Sequence, residues 1–158
     1  MNGRLTLSAS VIVIGGLSLG LVAGCASKSM SRMGSGDVVA DRQRLMKLQG
    51  ASWADIQAKA KAGNIEAIAV NAETLALTAQ QIPALFPEGS LTDKSKAKPE
   101  LWTDMAKVKE IPAALLVEEQ KVKAAIASGD QKAVADALGS MGKNGCGACH
   151  GTYREKTT

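Results

Sequence analysis

Near the carboxyl end of the chain stands Cys146-Gly147-Ala148-Cys149-His150, with the only histidine of the sequence directly after the second cysteine. This CxxCH spacing is that of c-type haem attachment. Each thiol adds across one vinyl group, and one helical turn between the cysteines sets both sulfurs along the same porphyrin edge. His150 then projects beneath the iron, where an imidazole nitrogen serves as proximal ligand.

Other uses of the same residues fail on counting. The chain has three cysteines, and Cys25 belongs to the leader junction described below. A structural zinc site needs four protein ligands, whereas only Cys146, Cys149 and His150 are available. A thioredoxin-like site needs its CxxC beside a strand-helix-strand unit, and no segment here alternates as a strand does.

Residues Leu5 to Ala23 follow Arg4, carry no charge and pass through VIVIGGLSLGLVA. The segment has the anatomy of an export signal. It ends in Leu21-Val22-Ala23-Gly24-Cys25, which resembles the bacterial lipobox, where the signal is cut before a cysteine that becomes lipidated. Residues 1–24 are then a signal peptide, and Cys25 anchors the mature chain to a membrane facing the periplasm. Cleavage after Ala26, or retention of the apolar run as a short span, are the alternatives. The small polar stretch that follows, residues 25–36, has the composition of a flexible tether.

The remaining 37–158 suffice for one domain with a single core. Apolar residues make up 46% of the chain but aromatic ones only 3%, namely Trp53, Phe86, Trp102 and Tyr153. A core of alanine and aliphatic residues lacks large rings to fill interhelical space. Either the helices pack tightly on alanine, or a prosthetic group supplies the filling. A haem burying roughly 500 Å² of apolar surface contributes on the order of 10 kcal/mol, comparable with a domain's whole stability, so the apoprotein is expected to fold poorly.

Without the leader, whose only charged side chain is Arg4, 18 basic residues face 15 acidic ones. The charges are interspersed and few aromatic residues lie among them, which argues against nucleic-acid binding. Lysine-rich faces of such a protein can steer an acidic partner at low salt.

Helical periodicity runs through the domain. Asp37 to about Ala62 forms a first helix, with Val39, Arg42, Met46 and Trp53 on one side and Gly63 ending it. Asn64 is placed to cap a second helix, whose stripe of Ile65, Ile68, Ala72, Leu75, Ala79 and Ile82 faces the core. Pro83 and Pro87 interrupt it, and a long crossing loop reaches Lys98. Pro99 suits the first turn of a third helix that extends to about Ser128, with Glu100 and Asp104 near its positive end. Pro112 either kinks that helix or restarts it. Gly129 closes it, and Asp130 caps the last helix, whose stripe of Val134, Leu138 and Met141 continues to Gly145, Cys149 and Tyr153. Glycines at 142, 145 and 147 would let a porphyrin approach the backbone. The expected fold is all-α, an antiparallel four-helix bundle with covalent haem c on its C-terminal helix.

The string CxxCHxxYR from Cys146 to Arg154, together with Arg42-Gln43, Met46, IPALFPEGS and KPELWTD, resembles the cytochromes c′, the class II c-type cytochromes. The resemblance implies a homodimer and a pentacoordinate haem whose distal face is shielded from the first helix. Met46 matches the shielding position, Arg42 and Gln43 match positions near the haem propionates, and Arg154 matches a basic residue near the proximal histidine. For Met46 ordinary core packing is the plain alternative, and for Arg154 a solvated helix-end contact.

With no second histidine, the sixth iron position is empty, held by Met46, or taken by lysine or a small molecule. Ligation by Met46 gives a low-spin electron carrier serving a redox protein partner. Shielding alone admits nitric oxide or carbon monoxide, the gas-binding role suggested for the family, and both spin states occur among relatives with a methionine here. No acid-base constellation is visible, so enzyme activity is not expected.

Overall fold

The structure, a computed structural model, describes residues 36–156. The leader, Cys25 and nearly all of the tether lie outside the described residues, as do Thr157 and Thr158.

Helix α1 spans Val38–Lys61. Asp37 caps it, its carboxylate accepting from the backbone N–H groups of Val39 and Ala40 at 2.9 and 3.1 Å, which satisfies donors that lack a partner inside the helix. Gly63, at φ +74, turns the chain out of the helix.

Helix α2 is shorter than the periodicity suggested, running from Ile68 to Ala79. Asn64 makes no cap. Residues 65–67 form a turn in which the Ile68 N–H reaches the Ile65 carbonyl at 3.1 Å, and Ile65 is buried from outside the helix. The far end stops three residues before Ile82, followed by a single 3₁₀ turn at Pro83–Leu85.

The third helix is divided, but not at Pro112. A short α3, Glu100–Thr103, follows Pro99, and α4 runs from Met105 to Ser128 straight through Pro112. The buried proline ring packs into the bundle, and its carbonyl accepts from Gln80 Nε2 at 3.0 Å. The break falls at Asp104, with φ −98 and ψ 21. Its carboxylate does not cap α4 but accepts the Tyr153 hydroxyl at 3.0 Å.

Asp130 caps α5, Gln131–Met141, accepting from Lys132 and Ala133 at 2.8 and 3.2 Å. The helix then widens into a π turn, Gly142–Gly147, and narrows again as α6, Ala148–Tyr153. This turn corrects an angular error in the stripe. In a 3.6-residue helix each step of four advances about 40°, so the three steps from Met141 to Tyr153 would carry the stripe about 120° off its line. A wider turn rotates less per residue and takes much of that back. Met141, Gly145 and Tyr153 are accordingly all buried.

The glycines of this turn serve helix packing. A Cβ on Gly145 would collide with Leu115 of α4, and one on Gly142 would stand 3.1 Å from the Trp53 ring. Close approach by neighbouring helices therefore accounts for both.

Together α1, α2, α4 and the α5–α6 rod form an antiparallel four-helix bundle. α4 packs on α5 and α2, and α2 on α1. Among the described residues the one strand-like feature is a single antiparallel bridge between Ala97 and Arg154. The main core joins Ile56, Ile68, Leu75, Val122, Val134 and Met141. A second cluster of Phe86, Leu101, Val108 and Tyr153 sits under the crossing loop.

One polar device ties α4 to the last helix. Glu118 is buried, accepting from Ser140 Oγ at 2.6 Å, Asn144 Nδ2 at 3.2 Å and Lys121 Nζ at 2.8 Å. Lys121 and then Ser140 hold its carboxyl below the usual range, against the opposing effect of burial. A depressed carboxylate stabilises the fold above its unfolded pKa, and that contribution is lost as pH falls through the folded value. Glu118→Gln should therefore lower the Tm at pH 7, and the gap from wild type should close as the pH drops below about 4, as thermal melts across pH would show.

Candidate functional site

Residues of α1, the crossing loop, α3 and the last helix border a cavity of about 590 Å³, within the range of small-molecule and cofactor sites. α1 supplies Met46 and Trp53, the last helix supplies Cys146, Cys149, His150 and Tyr153, and the crossing loop supplies Phe86 and residues 95–97. A smaller apolar compartment of about 60 Å³ adjoins it, extending toward Val108, Ile111 and Leu115 of α4. Met46, Gln49, Cys146, Cys149 and His150 border both spaces.

The cysteines are half-buried and not bridged to each other. Burial pushes both thiols above their ordinary pKa. Burial also pushes the His150 imidazole down, and Arg154 adds to this, so the ring favours the neutral form that a metal requires.

Arg42 lines the cavity while anchoring the crossing loop over it. Its Nη1 donates to the Leu85 carbonyl and to Ser90 Oγ, each at 3.1 Å, and its Nη2 to the Ser90 carbonyl at 2.7 Å. The guanidinium carbon lies 4.7 Å from the Phe86 ring centre, a cation–π contact. Of its five N–H groups, Nε and one on Nη2 remain to meet a carboxylate. Burial lowers the Arg42 pKa and Asp37 opposes that; the group stays cationic, since a guanidinium titrates far above neutrality. Gln43 also holds the loop, donating to the Lys94 carbonyl at 3.0 Å.

From the other side, the Lys98 N–H donates to the Tyr153 carbonyl at 2.8 Å and the Glu155 N–H to the Lys96 carbonyl at 2.9 Å. The loop is thus a strap pinned by α1 and by the residues just after CxxCH. Every residue singled out from the sequence within the described segment, namely Arg42, Gln43, Met46, Cys146, Cys149 and His150, borders this cavity. Cys25 lies outside the described residues. Trp53 was legible only as one of the apolar positions of α1, whereas it lines the cavity. Ser90, Gln49 and Asn144 went unread, because isolated polar residues in loops and helices carry no spacing signal.

The space fits haem c: it is broad, free thiols open onto it, and its lining holds Arg42, Lys47, Lys96 and Arg154 but no carboxylate, as a group bearing two propionates requires.

The fold and this site define a helical c-type haem protein. The cytochrome c′ family profile matches residues 37–154, and the chain belongs to that family, whose members bind haem c covalently. It is 35% identical over 121 residues to a cytochrome c-556 of Agrobacterium tumefaciens (strain II Chrys), covering 75% of this chain and 97% of that protein. Among solved structures, the cytochrome c′ of Thermochromatium tepidum superimposes with a TM-score of 0.65 at 26% identity, covering 75% of this chain and 95% of that one. The cytochrome c′ of Alcaligenes xylosoxidans gives 0.64, covering 77% of this chain and 96% of the other. It was solved as one variant with carbon monoxide bound and as another in the ferrous form with nitric oxide, at 29% and 28% identity.

Replacing Cys146 and Cys149 together by Ala should yield a colourless protein. It should have weakened near-ultraviolet circular dichroism and a melting transition at least about 10 °C lower. Calorimetry and circular dichroism on the purified variant measure both.

Proposed function

We propose that this chain is an exported, redox-active haem protein that binds neutral diatomic gases, nitric oxide or carbon monoxide, at an iron held on one side by His150. The observation that carries this reading is the apolar compartment beside Met46, bounded by Ala79, Ile82, Val108, Ile111 and Leu115. Gln49, which also borders it, spends both amide hydrogens, donating to the Leu75 carbonyl at 3.2 Å and to Thr78 Oγ1 at 2.9 Å. The Gln49 amide therefore has no N–H left to stabilise an anion, while an uncharged diatomic needs none. Haem iron with one protein ligand supplies an open coordination position. Met46 shields it by bulk, admitting small ligands and refusing larger ones.

A second reading, a low-spin carrier with Met46 as sixth ligand, draws on the same half-buried thioether, which borders both spaces with His150. Absorption spectra of the ferrous protein with and without carbon monoxide separate the two. Gas binding predicts a shifted Soret band on addition of carbon monoxide, and faster uptake in Met46→Ala. A low-spin spectrum indifferent to the gas, turning high-spin only in Met46→Ala, would sink that reading in favour of the carrier.

We assign the mature protein to the periplasm, anchored through lipidated Cys25, on the strength of the leader residues alone. Metabolic labelling with palmitate should mark the wild type and leave Cys25→Ser unlabelled. Pairing of two copies draws support from the exposed Val70 and Leu77 on α2, whose side chains a partner would cover.

A further inference from the structure

Most cations of the described residues fall into two groups. Arg44, Lys59, Lys107, Lys121, Lys123 and Lys132 are each ion-paired to a carboxylate, most within their own helix. Among the described residues, Lys47, Lys94, Lys96, Lys143, Arg154 and Lys156 have no ion-pair partner and are exposed, whereas Arg42 and Lys98, also without one, donate to protein oxygens.

Three of these unpaired cations line the haem cavity, and the other three stand beside it along the chain. Lys47, Lys96 and Arg154 line its mouth. Lys94 is held there by the Gln43 amide on its carbonyl. Lys143 follows Gly142, a lining residue. Lys156 follows Glu155, whose N–H is bonded to the Lys96 carbonyl. Beyond this region only Lys61 and Lys109, among the described residues, lack an ion-pair partner. Counting Arg42 and Lys98, eight cations of these segments face Glu88, Asp93, Glu155 and two propionates, which leaves the mouth positive. A net charge of one sign around a low-dielectric cleft concentrates field there.

We propose that the cavity mouth is the docking surface for an acidic one-electron carrier protein. This rests on the redox part of the functional reading above. One electron crosses between ferrous iron and the oxidised metal of the carrier, no bond forms or breaks, and no proton moves. Cations without partners have no internal charge to satisfy, so their attraction is available to an incoming acidic face. Encounter is steered to the mouth of the cavity that would hold the haem, and complementary charge acts chiefly on the rate of association. An anionic membrane would be drawn by the same charges, but it is flat, whereas this surface rims a concave mouth.

The test is stopped-flow oxidation of the haem-loaded ferrous protein by an acidic blue-copper protein such as plastocyanin, in about 0.01 M and about 0.15 M salt. The double variant Lys94→Glu, Lys143→Glu leaves the cavity lining intact. At low salt it should react about tenfold more slowly than wild type, with the difference shrinking at high salt. Lys61→Glu, Lys109→Glu should match wild type. Equal rates for wild type and the Lys94/Lys143 variant overturn the proposal. So does an unchanged rate accompanied by loss of binding to phosphatidylglycerol vesicles, which would assign the surface to a membrane. Hexaammineruthenium(III) separates the two levels of inference. A wild type that reduces it no faster than plastocyanin, and both negligibly, overturns the redox reading and this surface with it, whereas ready reduction with no lysine dependence overturns the surface alone.

Discussion

Keeping a space of about 590 Å³ open inside a small bundle is the constraint to which the rest of the molecule answers. Helices with alanine faces close on one another wherever nothing holds them apart, because interiors pack to high density. Here the separation is maintained from outside the helices. The strap is fixed to α1 by Arg42 and Gln43 and to the C-terminal segment by a two-bond bridge. The buried guanidinium between Phe86 and the Ser90 carbonyl is central to this, since it is hydrogen-bonded and stacked at once. A buried charge held by three hydrogen bonds is costly to disturb, and its remaining donors are organised before any ligand carboxylate arrives.

Much of this was legible in the residues, for identifiable reasons. CxxCH is a chemical requirement with fixed spacing, so Cys146, Cys149 and His150 could be read without a fold. Asp130 could be placed as a cap because a short acid beside a glycine at a helix boundary has few other uses. Asn64 looked equally suitable and does nothing of the kind, since burial of Ile65 in a turn displaced the helix start by one turn. Propensity at a boundary yields to packing. Pro112 was open to a kink or a restart, and the helix does not restart there. The sequence marks it as a breaker, yet burial of its ring outweighs one absent hydrogen bond, and the break moves to Asp104, where a tertiary contact with Tyr153 competes for the side chain.

Arg42 illustrates a limit of a different kind. Its place beside the cavity followed from the resemblance to the cytochromes c′, but its present partners are loop carbonyls reached across more than forty residues of chain. Contacts of that span leave no periodic trace. The same holds for the clamp on Glu118, where an acid in mid-helix reads as solvent-facing until the neighbouring helix presents Ser140 and Asn144.

The wide turn at Gly142–Gly147 has a further bearing on the attachment chemistry. Cys146 belongs to the broader coil and Cys149 to the narrower one, so the two sulfurs straddle a seam between helices of unlike pitch. Three residues of uniform α-helix turn through about 300°, and a wider coil turns through less, so the seam opens the angle between the two sulfurs while both still border the cavity.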